Sequence, residues 1–189
     1  MRPRDQNKVE AIINASIKLV IELGFSQISI SKIAKEAKVS PATIYIYFKN
    51  KEDLLKTIFL EIKKKTHIAS LEGIKEDMTP EESFKSIWSR YMKYNVDHYE
   101  YLIYCEGFEN TQMANKIDRS KFKLFKFIDN LLKEGIEKKV IKNTSLPLLV
   151  SFSFFPIITL LKLNKSGQIV IDNALIQQAM NMAWSVIAN

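Results

Sequence analysis

Apolar positions recur along this chain with helical spacing almost throughout. In the first segment Val9, Ile12, Ile13, Ile17, Val20 and Leu23 fall on one face of a helix, and Gly24 stands where a left-handed residue commonly closes one. Ser29 is placed to cap a short second helix running to Ala37, with Ile30, Ile33, Ala34 and Ala37 inward. After a turn at Lys38-Val39, Ser40 caps a third helix. Its first residue is Pro41, tolerated there because the missing N–H would go unpaired anyway. Ile44 and Phe48 of that helix are spaced to face inward. Lys49-Asn50 breaks it, and a fourth helix over about 51–67 carries Leu54, Leu55, Ile58, Phe59 and Ile62.

Further helices are predicted at about 80–103, 105–114, 117–139, 146–163 and 172–188, for about nine in total. Pro156 is predicted to kink the fourth of these five, since it removes a backbone bond. Five glycines and five prolines in 189 residues leave little room for β-turns, and the expected fold class is all-α. Two domains are expected, a headpiece over 1–65 and a body over 66–189.

Charge sharpens the division. Residues 1–65 hold 13 Lys/Arg against 7 Asp/Glu, and residues 66–189 hold 15 against 14, so nearly all of the net +7 sits in the headpiece. A basic surface also aids solubility, but this asymmetry points to a polyanion engaged by the N-terminal third. Cys105 is the only cysteine, which excludes an intrachain disulfide and four-thiolate zinc sites. No uninterrupted run of about 18 apolar residues occurs, so no membrane span is expected. The charged N-terminus does not read as a secretory signal, and a cytoplasmic location is expected. His67 and His98 are the only histidines, no glycine-rich phosphate loop occurs, and no histidine pair stands at i, i+4. An enzyme, a metal site and a cofactor are therefore not expected.

Two short helices joined by a three-residue turn, after a longer supporting helix, make a three-helix DNA-binding headpiece. The second short helix presents Ser40, Pro41, Ala42 and Thr43, all small enough to let the backbone approach a groove floor. Thr43 can offer its methyl to a thymine or its hydroxyl to a base or phosphate. Tyr45 and Tyr47 can reach phosphates through their hydroxyls, although either alone is more often a packing residue than a DNA contact. Lys49 and Lys51 follow where the fourth helix begins.

The stretch Ile33-Ala34-Lys35-Glu36-Ala37-Lys38-Val39-Ser40-Pro41-Ala42-Thr43-Ile44-Tyr45-Ile46-Tyr47-Phe48, continued by Lys49-Asn50-Lys51-Glu52-Asp53-Leu54, resembles the TetR repressor signature. Gly24-Phe25 and Ser29-Ile30-Ser31 fit the same pattern, and the match covers about residues 7–56. The resemblance implies a helix-turn-helix DNA-binding domain followed by a helical effector-binding and dimerisation domain. It further implies a homodimer on a near-palindromic operator of double-stranded DNA, released by a small ligand. Carried over by position, Thr43, Tyr45 and Tyr47 would contact DNA, Ser29, Ser40 and Lys51 would touch phosphates, and Pro41 and Ala42 would lie nearest the bases. Lys38 departs from the pattern, which has glycine at the turn. A lysine there must adopt a left-handed conformation at a cost of about 1 kcal/mol.

For the body, the resemblance suggests a four-helix seam between subunits, built from 117–139 with 172–188 or 146–163. Phe122, Phe125, Leu132, Ile136, Leu175, Ile176, Met180, Met182, Ala183 and Ile187 are its candidates, unless they line their own core. Aromatic residues are dense between 84 and 127. Trp88, Tyr91, Met92, Tyr104, Phe108, Phe125 and Phe155 are the expected lining of a pocket for a small hydrophobic effector. A lipophilic cation would be favoured if Glu106 or Glu109 pointed inward. The competing readings are an architectural DNA-binding protein without effector, and a helical enzyme or carrier; the scarcity of acid–base groups counts against the last.

Overall fold

A computed structural model describes residues 5–118 and 122–189, with backbone alone for 123–125. Among the described residues there are ten α-helices and one 3-10 turn, and the only β-type pairing is a bridge between Ile141 and Ala188. The helices are α1 (Gln6–Leu23), α2 (Ile30–Glu36), α3 (Pro41–Tyr47), α4 (Lys51–Leu71), α5 (Pro80–Asp97), α6 (Tyr99–Glu109), α7 (Lys123–Glu137), α8 (Leu146–Ser153), α9 (Pro156–Lys165) and α10 (Asn173–Ile187).

Local chemistry sets most of the boundaries. Asp5, Ser29, Ser40, Thr79 and Asp172 each accept a backbone N–H from their own first turn, which supplies a partner to a group the helix leaves unpaired. Thr79 and Glu82 complete a reciprocal capping box. Gly24 closes α1 at φ 80°. Two departures from the predicted helices have physical causes. The 80–103 helix ends at Asp97, where His98 swings out of helical geometry, stacks on Tyr94 at 4.2 Å and places Nδ1 2.9 Å from the Tyr94 carbonyl. The 146–163 helix is not merely kinked but broken before Pro156 into α8 and α9, which accounts for the tenth helix.

The segment Leu146–Lys165 also corrects the expectation that no stretch is apolar enough to cross a membrane. Over its 20 residues one window reaches a mean hydropathy of 1.9, because the serines and prolines that interrupt it barely lower the average. Only 28% of that window is buried within the chain. The break leaves pieces of 8 and 10 residues, each well short of the roughly 20 that a bilayer requires.

The chain forms two compact units. The first comprises residues up to Lys63 together with Glu100–Ile117. Its core gathers Ile12, Ile33, Ile44, Leu54, Leu55 and Ile58, all fully buried, with Tyr104 and Phe108 contributed by α6. The Tyr104 hydroxyl donates to the Leu55 carbonyl at 2.9 Å, and Phe25 meets the rings of Tyr104 and Phe108 edge-on at 5.1 and 5.9 Å. The second unit comprises Lys64–Tyr99 and Asp118–Asn189. There α5 is central, packed against α7, α9 and α10, and α8 packs on α10. Phe84, Ile87, Trp88 and Met92 of α5 are fully buried.

Lys38 adopts φ 54° between α2 and α3, the left-handed conformation that its place in the turn requires. The side chain is exposed, so the strain is purely backbone. Lys38→Gly is expected to stabilise the free protein by about 1 kcal/mol, read as a rise in thermal midpoint of a few degrees. A fall in the midpoint would show that the lysine relieves its own strain by a contact.

Candidate nucleic-acid interface

The helix-turn-helix is held from below by buried apolar residues and from its ends by caps. Ile33 and Ala34 of α2 and Ile44 of α3 are essentially inaccessible, and Phe48, just past α3, is buried beside them. This pins the inward face of α3 and leaves the opposite face open. The Ser40 hydroxyl accepts from the Thr43 N–H at 3.1 Å and lies 2.9 Å from Thr43 Oγ1, so both hydroxyls are oriented before any ligand arrives. Pro41 and Ala42 are exposed, Tyr45 is 56% exposed, and Thr43 and Tyr47 are half-buried.

The start of α4 is equally ordered. Asn50 Oδ1 accepts from the Asp53 N–H at 2.9 Å, and Asp53 Oδ2 accepts from the Lys49 N–H at 2.9 Å. Lys49 therefore projects from a fixed backbone and is exposed. Lys51 is partly committed, since its ammonium donates to the Ile28 carbonyl at 3.2 Å and so ties α4 to the loop before α2. Ser29 is exposed but spends its hydroxyl on the Lys32 N–H, at 3.3 Å. Eight of the nine expected DNA residues, from Ser40 to Lys51, thus lie on one continuous turn-and-helix segment, with Ser29 capping the helix before it.

Sequence reasoning missed Ile46, which is 75% exposed on α3. Its spacing was available: it stands two residues from Ile44, on the far side of the helix. Sequence reasoning also missed Phe25, whose ring covers Gly107. A Cβ at Gly107 would come within 2.9 Å of Phe25 Cε2, so the absence of a side chain there is what admits the ring.

The expected pocket set is divided by the structure. Tyr104 and Phe108 are core residues of the first unit, whereas Trp88, Tyr91, Met92 and Phe155 belong to the second. The Phe125 side chain lies outside the described residues. Trp88 and Met92 are buried, Tyr91 is half-buried near Phe154 at 6.3 Å, and Phe155 is 62% exposed, pointing outward. Glu109 pairs with Lys63 at 3.5 Å rather than lining an apolar box. A cleft of about 330 Å³ on the first unit is lined by Ile17, Ile21 and Tyr101 together with Lys18, Glu22 and Glu100, and it holds none of the expected pocket residues. Of the seam candidates, Leu132, Ile176, Met180, Ala183 and Ile187 face their own core, and Met182 is exposed. Cys105 is buried, and burial pushes its thiol up to about 11 against the opposing pull of Lys63, so the reactive thiolate is disfavoured.

Residues 12–58 match the model of bacterial regulatory proteins of the tetR family, and residues 80–188 match that of the tetracyclin repressor-like C-terminal domain. The chain belongs to the TetR family. The chain is 33% identical over 139 residues to the fatty acid metabolism regulator protein of Bacillus subtilis, a match covering 72% of each. It is similar in structure to a TetR family transcription regulator from Marinobacter aquaeolei, with a TM-score of 0.87, 30% identity and all of both chains covered. It is also similar to the Bacillus subtilis regulator FadR, solved in complex with stearoyl-CoA, with a TM-score of 0.75 and 27% identity over 93% of this chain and 97% of that one. As a TetR-family protein it is a DNA-binding transcription regulator, and α2 and α3 are its helix-turn-helix.

Proposed function

We propose that this TetR-family chain is a dimeric repressor that binds a near-palindromic operator through α3 and is released by a long-chain acyl-CoA. The observation that carries the DNA-binding half is the open face of α3, held outward by the burial of Ile44 and Phe48. Ser40, Pro41, Ala42, Thr43, Tyr45, Tyr47, Lys49 and Lys51 are the assigned contacts, with Ser29 at a phosphate. Binding of this kind is driven by phosphate neutralisation and specified by base edges.

The effector assignment is supported by the likeness to the stearoyl-CoA complex and by the apolar character of the second unit. Trp88, Tyr91 and Met92 are the residues we assign to the acyl chain. Trp88 suits the role because its indole N–H is already engaged by the Ser153 carbonyl at 2.8 Å, so it offers a guest only apolar surface. Phe155 is reassigned from the pocket to the dimer face.

Nuclease protection of the DNA beside this chain's own gene tests both halves. At moderate salt, a site of two half-sites about one helical turn apart is expected to be protected. Stearoyl-CoA is expected to abolish that protection, while free CoA is not. Without any protected site, operator binding falls. With protection that no acyl-CoA relieves, the effector assignment falls, and a purely architectural role gains.

A further inference from the structure

The outward face of α3 has an unusual inventory. In a helix of 3.6 residues per turn, Ala42 and Ile46 stand one turn apart and almost diametrically opposite Ile44, whose side chain is fully buried. The centre line of the exposed face is therefore two aliphatic side chains. Thr43 and Tyr47 flank it on one side and Tyr45 on the other. From Pro41 to Tyr47 there is no arginine, lysine, asparagine, glutamine, aspartate or glutamate. Those are the side chains that read guanine, adenine or cytosine by hydrogen bonds in the major groove. What this helix can offer a base edge is methyl groups and a few hydroxyls. In the major groove the one base feature that matches an aliphatic side chain is the C5 methyl of thymine.

We propose that Ile46, assisted by Ala42, reads thymine methyl groups, so that this chain selects A·T pairs beneath α3 by apolar contact. The inference rests on the DNA-binding reading given above. Ile46 is 75% exposed, so shortening it leaves the headpiece core untouched. Its contact with DNA would remove one methyl pair from water in each half-site.

The test replaces each thymine of the protected half-sites by deoxyuridine, which exchanges only the methyl for hydrogen. Binding of the full-length dimer is then measured by fluorescence anisotropy for wild type and Ile46→Ala. At one or two positions per half-site, wild type is expected to weaken about fourfold per methyl, or about fifteenfold when both half-sites are changed together. Ile46→Ala is expected to bind the thymine duplex more weakly and to be indifferent to uracil at those positions. Equal binding of thymine and uracil duplexes by wild type overturns the inference while operator binding stands. It is overturned equally if Ile46→Ala loses as much on uracil as wild type does, which would pass the methyl contact to another residue. If wild type binds no duplex at all, the DNA-binding reading itself fails and takes this one with it.

Discussion

Replacing Phe152 and Phe155 together by aspartate is expected to turn the dimer into a monomer and to weaken operator binding at least a hundredfold. Leu148 and Phe152 stand one turn apart on α8, Phe155 lies in the break just before α9, and all three are exposed, the two phenylalanines at 60% and 62%. Met182 and Val186, one turn apart on α10, are exposed too, and α10 packs on α8. Leu149, Ser153, Ile157 and Leu161, on the other side of the same two helices, are buried. A pair of helices apolar on both faces has two things to cover, a core and a partner. This is why 146–165 reads as hydrophobic enough for a membrane although it need not enter one. In a twofold interface each phenylalanine appears twice. Burying one contributes about 1.5–3 kcal/mol, so losing four, with carboxylates in their place, shifts the dimer equilibrium by several orders of magnitude. Sedimentation at micromolar concentration reads the oligomeric state, and circular dichroism checks that helix content survives. A double variant that still sediments as a dimer would place the seam elsewhere, with α7 the next surface to alter.

The headpiece was legible because each of its boundaries is written in local chemistry. Ser29, Ser40, Pro41 and Gly24 are caps and stops whose effect does not depend on the rest of the chain, and the structure uses all four in those roles. Lys38 is the informative exception to the family pattern: its turn is set by the helices on either side, and the lysine accepts their geometry. The seam was not legible in the same way. Periodicity marks Ile176, Met180 and Ile187 as apolar on one face, but both a core and a partner demand that pattern, and only the packing of α10 on α5 assigns these residues to the core. The aromatic residues of the body failed for a related reason. Counting them along the sequence placed Tyr104 and Phe108 with Trp88, whereas the chain breaks at His98 and α6 builds the first unit. No glycine or proline announces that break. His98 leaves helical geometry there and stacks on Tyr94 one turn back, a local arrangement that apolar periodicity does not register.

Trp88→Ala is expected to lower the thermal midpoint by about 10–20 °C, and the cause is traceable to Pro156. Pro156 has no N–H, and at the break the Ile157 N–H turns to the Phe154 carbonyl at 3.2 Å. The Ser153 carbonyl is thereby left without a partner from α9 in a buried position, and the Trp88 indole supplies one at 2.8 Å. Trp88 thus fills volume and satisfies the carbonyl that the helix break exposes. Removing the ring leaves a cavity worth about 3–5 kcal/mol and an unpaired buried carbonyl besides. At about 2–4 °C per kcal/mol for a chain of this size, the two together imply a loss of about 10–20 °C. Trp88→Phe separates the two contributions, because it retains most of the apolar volume and removes the N–H. It should cost about 1–3 kcal/mol, the desolvation of one unsatisfied carbonyl. Both variants must be melted at one protein concentration, since a dimer's midpoint depends on it. If Trp88→Phe melts with wild type, the indole–carbonyl bond contributes nothing, and the break before Pro156 is tolerated without it.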